Sequence, residues 1–192
     1  VKWENGPPKD KDFFPIGVWM QSPSNADSYQ RAKVNLFVGL FNGPTVNDLE
    51  TLNEHGMMTV CNQNQVGLTN EHNDLIVGWS QMDEPDNAQP ITDPDSDEIW
   101  GPPVDPHLIV QEYEMMKRRD PTRPVFLNLG QGVANDEWVG RGPDASLEDY
   151  ETYVKGGDII SFDVYPVADL RKPNSEDFLW YVAKGVKRLK KW

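Results

Sequence analysis

Hydrophobic and polar positions along the chain fall into two alternating rhythms. Short β-branched or aromatic runs recur at residues 15–21 (PIGVWMQ), 34–41 (VNLFVGLF), 57–62 (MMTVCN), 75–82 (LIVGWSQM), 124–129 (PVFLNL) and 158–165 (DIISFDVY). Between several of them lie longer stretches with apolar residues at helical spacing. The alternation predicts an α/β fold with six parallel strands and crossover helices, six β/α units in all.

Capping residues support the helical half of this reading. Thr45 stands at the N-cap of TVNDLETLNEH, with Val46, Leu49 and Leu52 on one face and Gly56 as the stop. Asp105 and Pro106 form an N-cap and first-turn proline for residues 105–120, whose basic end KRR suits the negative pole of a helix dipole. Ser146 with Asp149 approximates a capping box for SLEDYETYVK, which Gly156 and Gly157 close; Ser175 opens the last helix. Residues 86–104 are rich in Pro and Asp, lack periodicity and read as a long loop after the fourth strand. No internal repeat of fixed period appears, and the chain reads as one domain over residues 1–192.

In parallel α/β architectures the C-terminal ends of strands face the ligand side. That rule gathers Gln21, Asn42, Asn62, Gln63, Asp83, Glu84, Asn128, Gln131, Asp163 and Tyr165 into one candidate cluster. The fourth run is the most informative, because an apolar LIVGW ends in QMDEPDN, with Asp83, Glu84 and Asp86 in quick succession. A carboxyl placed near other carboxylates and apolar walls has its pKa raised and can carry a proton, as glycoside cleavage requires. Such cleavage also needs a second carboxylate, about 5 Å away for retention or about 6.5–9.5 Å for inversion.

The run WSQMDEP resembles the fourth-strand motif of (β/α)8-barrel glycoside hydrolases of the large retaining superfamily, where the strand ends in N-E-P or D-E-P. FFPIGVWMQ and SFDVYPV are similar to the first and sixth strands of that group. The resemblance implies a TIM-barrel-like fold, an incomplete barrel if the six visible units are all it has, and hydrolysis of a β-linked oligo- or polysaccharide. It implies Glu84 as general acid/base, Asp83 as a contact to a sugar hydroxyl, and Tyr165 as the sixth-strand aromatic that orients the opposing group. Asp83 departs from the commoner asparagine, and an aspartate accepts hydrogen bonds without donating as an amide does.

In that group the nucleophile is a glutamate at the end of a seventh strand, and six strands are all that the pattern supplies. The sequence therefore leaves three readings: a truncated barrel, a charged role taken over by Asp163, or a carbohydrate-binding protein without turnover. Unpaired first and sixth strands would favour association of copies into a homo-oligomer. A divalent-metal site built from Asp83, Glu84, Asp86 and Asp163 is a weaker alternative.

Aromatic residues extend the list. Trp19 and Trp79 lie in strands, either as interior packing or as platforms for the apolar face of a sugar, and Trp100 and Trp138 lie in loops on the ligand side. The expected substrate contacts are Asp83, Trp19, Gln21, Asn42, Asn62, Asn128 and Trp100. Asp93, Asp95 and Asp97 alternate like the start of a calcium loop, but Glu98 and Val104 stand where an EF-hand needs Gly and Glu. His55, His72 and His107 lack ligand spacing, so no metal and no cofactor are called for.

Composition narrows the partners. The 192 residues carry 31 acidic and 18 basic side chains, a formal charge of -13 that repels nucleic-acid backbones and anionic membrane surfaces. Cys61 is the single cysteine, which rules out an intrachain disulfide. No apolar run is long enough to span a bilayer. The start at Val1 is compatible with a removed leader, and a secreted or periplasmic location is favoured over a cytoplasmic one.

Overall fold

The computed structural model describes residues 3–142, 145–166 and 178–192. Six strands, β1 (Gly17–Trp19), β2 (Leu36–Val38), β3 (Met58–Asn62), β4 (Ile76–Ser80), β5 (Val125–Leu129) and β6 (Ile159–Phe162), form one parallel sheet in sequence order. Helices α1 (Ala26–Arg31), α2 (Val46–Glu54), α3 (Gln65–Thr69), α4 (Pro106–Arg119), α5 (Tyr150–Tyr153) and α6 (Trp180–Leu189) alternate with them, the strand and helix order of an incomplete α/β barrel. No helix among the described residues is long and apolar enough to cross a membrane.

Each expected strand is present but shorter than its apolar run. Met20 at φ 49° and Gly39 at φ 78° leave the extended region, so β1 and β2 stop before them. Their amides still pair, Met20 N–H donating to Val38 O at 2.9 Å and Gly39 N–H to Val60 O at 2.8 Å. The LIVGW run is buried along all of β4, as a parallel strand covered on both faces must be.

Two compact units divide the chain: Val1–Ser80 with Met115–Phe126, and Gln81–Glu114 with Leu127–Trp192. In the first unit Phe37, Leu49, Leu52, Ile76, Trp79 and Val125 are fully buried. Trp79 Nε1–H donates to Asp120 Oδ2 at 2.9 Å, and Arg123 Nη1–H donates to the same oxygen at 2.8 Å. The remaining Arg123 donors reach Ile76 O at 2.6 Å and Asn73 O at 2.7 Å, so this buried ion pair is satisfied. Cys61 is buried nearby in β3, and burial pushes its thiol up to about 12.

Thr45 caps α2 as expected. Its Oγ1 accepts Asp48 N–H at 3.1 Å while Asp48 Oδ2 accepts Thr45 N–H at 3.0 Å, a full capping box. Leu49 and Leu52 are buried, but Val46 is half exposed at the first helical position and does not share their face. Two short helices, α1 and α3, fill the crossovers of the six-unit pattern that carry no assigned bounds or caps; Asn64 starts the second by accepting Gly67 N–H at 2.8 Å.

The second unit packs Ile109, Leu127, Leu129, Val133, Tyr150 and Tyr153 as its core, with Phe162 and Trp192 against them. Asp105 Oδ1 accepts His107 N–H at 2.9 Å at the start of α4. α5 is one turn long rather than the expected ten-residue helix. Asp149 Oδ2 accepts Ser146 N–H, but Ser146 Oγ takes Glu148 N–H, so the box is half made and the helix starts later. The expected start of α6 at Ser175 lies outside the described residues. The long loop at 86–104 folds back on itself, with Ile91 N–H on Ile99 O at 2.9 Å and Gly101 N–H on Gln89 O at 2.8 Å.

Removing the α2 cap tests this assembly in isolation. Thr45→Ala is expected to lower unfolding stability by about 1 kcal/mol, measured by urea denaturation.

Candidate active site

The acidic turn after β4 belongs entirely to the second unit. Its strut is Asp86, 2% exposed, whose Oδ1 accepts Gly130 N–H at 2.7 Å and Oδ2 accepts the Tyr150 hydroxyl at 2.6 Å. Burial raises the Asp86 pKa despite these bonds. Gln81, also buried, donates through Nε2 to Ile109 O at 2.9 Å and Gly156 O at 2.5 Å, fixing the chain just before the turn.

Glu84 sits between these anchors in a left-handed backbone conformation, φ 44°. Non-glycine residues rarely adopt it, and the strain, on the order of 1–3 kcal/mol, persists only where surrounding bonds enforce it. Here Glu84 N–H donates to Asn128 O at 3.0 Å and Glu84 O accepts Asn87 N–H at 3.1 Å. The side chain is half-buried, and its Oε2 accepts Asn87 Nδ2–H at 2.7 Å. Burial, followed by the charges of Asp163 and Asp83, lifts the Glu84 pKa to about 7; the Asn87 hydrogen bond opposes the shift.

Four other predicted residues join it. Asn128, at the end of β5 and 4% exposed, donates through Nδ2 to Asp83 Oδ1 at 2.9 Å and to Asp163 Oδ1 at 3.3 Å. The hydroxyl of Tyr165 donates to Asp163 Oδ2 at 2.7 Å, and this bond, with desolvation, raises the tyrosine to about 12. Desolvation also raises Asp83. Glu84, Asp83, Asp163, Tyr165 and Asn128 thus form one hydrogen-bonded and electrostatically coupled group.

A cleft of about 510 Å³ opens beside Asp83 and Glu84, walled by Trp100 from the folded-back loop and by Trp138 with Val139 and Gly140. Trp138 Nε1–H donates to Asn87 Oδ1 at 2.8 Å. Sequence reasoning left out Asn87. An Asn three residues after Glu84 has the spacing of a tight turn, but its pairing with an indole 51 positions away leaves no sequence signal.

The other expected substrate contacts belong to the first unit. Trp19 is 40% exposed and tilts against Phe126 with ring centres 6.4 Å apart. Gln21 accepts the Tyr29 hydroxyl at 2.9 Å, Asn42 is exposed in a left-handed conformation, and Asn62 Oδ1 accepts the Ser80 hydroxyl at 2.9 Å. Trp79, by contrast, is fully buried and belongs to packing. Gln63 Nε2–H donates to Met116 O at 3.1 Å, and Gln131 O accepts the amides of Ala134 and Asn135.

The divalent-metal alternative is not supported. Among the described residues no group of three or more His, Cys, Asp or Glu side chains could hold a metal ion. Both Asp86 oxygens are already engaged by Gly130 and Tyr150.

Six sequential parallel strands place this chain in the fold class of incomplete α/β barrels, and part of a solved glycosidase shares that fold. The chain is similar to the GH2 β-galacturonidase from Eisenbergiella tayi, solved with galacturonate bound, at 13% identity and a TM-score of 0.50, over 93% of this chain and 32% of that one. A GH2 member from Bacteroides cellulosilyticus DSM 14838 matches at 12% identity and a TM-score of 0.48, over 77% and 21%. The chain spans about a third of the first enzyme and a fifth of the second. No family model and no curated protein matches it.

The raised Glu84 carboxyl sets a pH dependence of stability. A carboxyl moved from 4.5 to about 7 binds its proton more tightly in the folded state, so folding loses free energy as pH rises between those values. Glu84→Gln keeps an acceptor for Asn87 and cannot ionise. The variant is expected to be more stable than the parent at pH 8, with the difference shrinking to nothing near pH 4.5, in denaturant titrations at a series of pH values.

Proposed function

We propose that this chain carries the proton-donating part of a glycoside hydrolase site acting on a β-linked oligo- or polysaccharide, with Glu84 as general acid/base. The observation that supports this most is a half-buried carboxyl with a pKa of about 7 facing a cleft walled by two indoles. At neutral pH such a group holds a proton in a large fraction of molecules and can hand it to a leaving glycosidic oxygen. The indole faces suit the C–H face of a sugar ring. Asp83 accepts a sugar hydroxyl, and Tyr165 holds the Asp163 carboxylate in place across the group.

None of the described residues lining the cleft is cationic, whereas Asp83 and Glu84 both are carboxyls. A sugar carboxylate would meet like charge there, so an uncharged glycan fits better than the galacturonate bound by the Eisenbergiella enzyme.

A second reading, sugar binding without turnover, is favoured by one fact: the only carboxyls among the lining residues are the adjacent Asp83 and Glu84. Calorimetry that shows oligosaccharide binding with no product release selects it.

Glu84→Gln is expected to lower kcat on aryl glycosides by about 10²–10⁴-fold; unchanged turnover refutes the assignment. In the parent protein the rate is expected to fall as pH rises through about 7, because the acid form is the active one. Aryl β-galactosides should be cleaved in preference to the matching β-galacturonides, as kcat/KM values on the pair will show.

A further inference from the structure

Asn87 is gripped at both ends of its amide. Trp138 Nε1–H donates to Oδ1 at 2.8 Å, and Asn87 Nδ2–H donates to Glu84 Oε2 at 2.7 Å. An indole nitrogen only donates, so the first bond decides which end of the amide is oxygen and leaves the NH₂ group for the carboxylate. Two glycines make room for this geometry. A Cβ on Gly130 would lie 2.7–2.9 Å from the Asn87 amide atoms, and one on Gly140 would lie 2.4–2.7 Å from the Trp138 ring. Ala88 N–H on Gly140 O at 2.8 Å holds the two segments together, and Gln89 Nε2–H on Asn87 O at 2.8 Å braces the turn itself.

We propose that Trp138 and Asn87 are positioning residues, a hydrogen-bonded relay in which the indole orients the amide and the amide sets the protonation of Glu84. The groups that face Glu84 otherwise push one way. Burial and the carboxylates Asp163, Asp83 and Asp86 all favour the protonated form, and the Asn87 amide is the contact that favours the ionised one. An amide freed to turn would present its oxygen to the carboxylate in part of the population and lose that effect. Trp138 also walls the cleft, so the relay joins the surface that a ligand touches to the group that holds the proton. The catalytic meaning of the relay rests on the proposed function, but its effect on the Glu84 proton does not.

The experiment is an NMR pH titration of the full chain with carboxyl-labelled glutamate. Asn87→Ala is expected to raise the Glu84 midpoint by at least about half a pH unit. Trp138→Phe, which keeps a ring and loses the donor, should raise it in the same direction. The double variant should go no further than Asn87→Ala alone, the non-additivity of residues acting in series. In the parent protein the Trp138 indole N–H signal should titrate with the Glu84 midpoint, a measurement that decides the matter if a variant fails to fold. A Trp138→Phe midpoint equal to the parent's beside a raised Asn87→Ala midpoint overturns the role of Trp138, as does a flat indole signal. No movement in either folded variant overturns the relay. Where turnover is measurable, the high-pH limb of the rate profile should move upward in both variants, whereas a merely structural role would lower the rate without moving it. Absence of all turnover would count against the proposed function and leave the titration result intact.

Discussion

The second unit depends on a buried carboxylate finding its donors. A lone charge in the interior costs several kcal/mol, and what makes Asp86 tolerable is the pair of short bonds from Gly130 and Tyr150. Those bonds fasten the turn after β4 to the end of β5 and to α5. Because Asp86 cannot move, Glu84 two residues before it and Asn87 one residue after it have little freedom either. Tyr150 is itself held by the Trp192 ring, stacked at 5.0 Å and nearly parallel, and by Tyr153 beside it. An apolar jacket therefore surrounds the polar strut, and the low dielectric it creates strengthens the bonds it encloses.

The site is a crowd of acidic side chains in which each member has a donor, one of them shared. Asp83 has Asn128, Asp163 has Asn128 and Tyr165, Asp86 has Gly130 and Tyr150, and Glu84 has Asn87. Glu84 has the single amide against burial and three neighbouring carboxylates, and it is the group lifted to about 7. Burial raises Asp83 and Asp86 as well, so Glu84 stands out by the size of its shift and not by its direction. Strain in the Glu84 backbone points the same way, since such conformations survive where the surroundings over-determine them.

Much of this was legible in the sequence, for reasons that differ from element to element. β4 could be read because a strand buried on both faces has no polar alternation to confuse it, and α2 because Thr45 and Asp48 form a local box. The strand ends were misjudged because a left-handed residue such as Met20 carries no mark in its side chain. α5 was overestimated because the Ser146 hydroxyl accepts the Glu148 amide rather than that of Asp149, a choice between two adjacent donors. In the site, the rule that strand ends face the ligand side gathered ten residues, of which Glu84, Asp83, Asn128, Asp163 and Tyr165 come together while Gln21, Asn42, Asn62, Gln63 and Gln131 do not join them. It could not find Asn87, whose importance comes from Trp138 far along the chain, nor the strut made by Tyr150. Local chemistry writes itself into short stretches of sequence, and pairings across 50 or more positions do not.

The solitary thiol of Cys61 carries a separate consequence. Sealed inside β3 and held almost wholly as S–H at neutral pH, it offers no nucleophile to an alkylating reagent while the strand stays closed. Reaction with such a reagent therefore times the transient opening of the first unit, and the chain carries a built-in clock for the fluctuations of one half of its architecture.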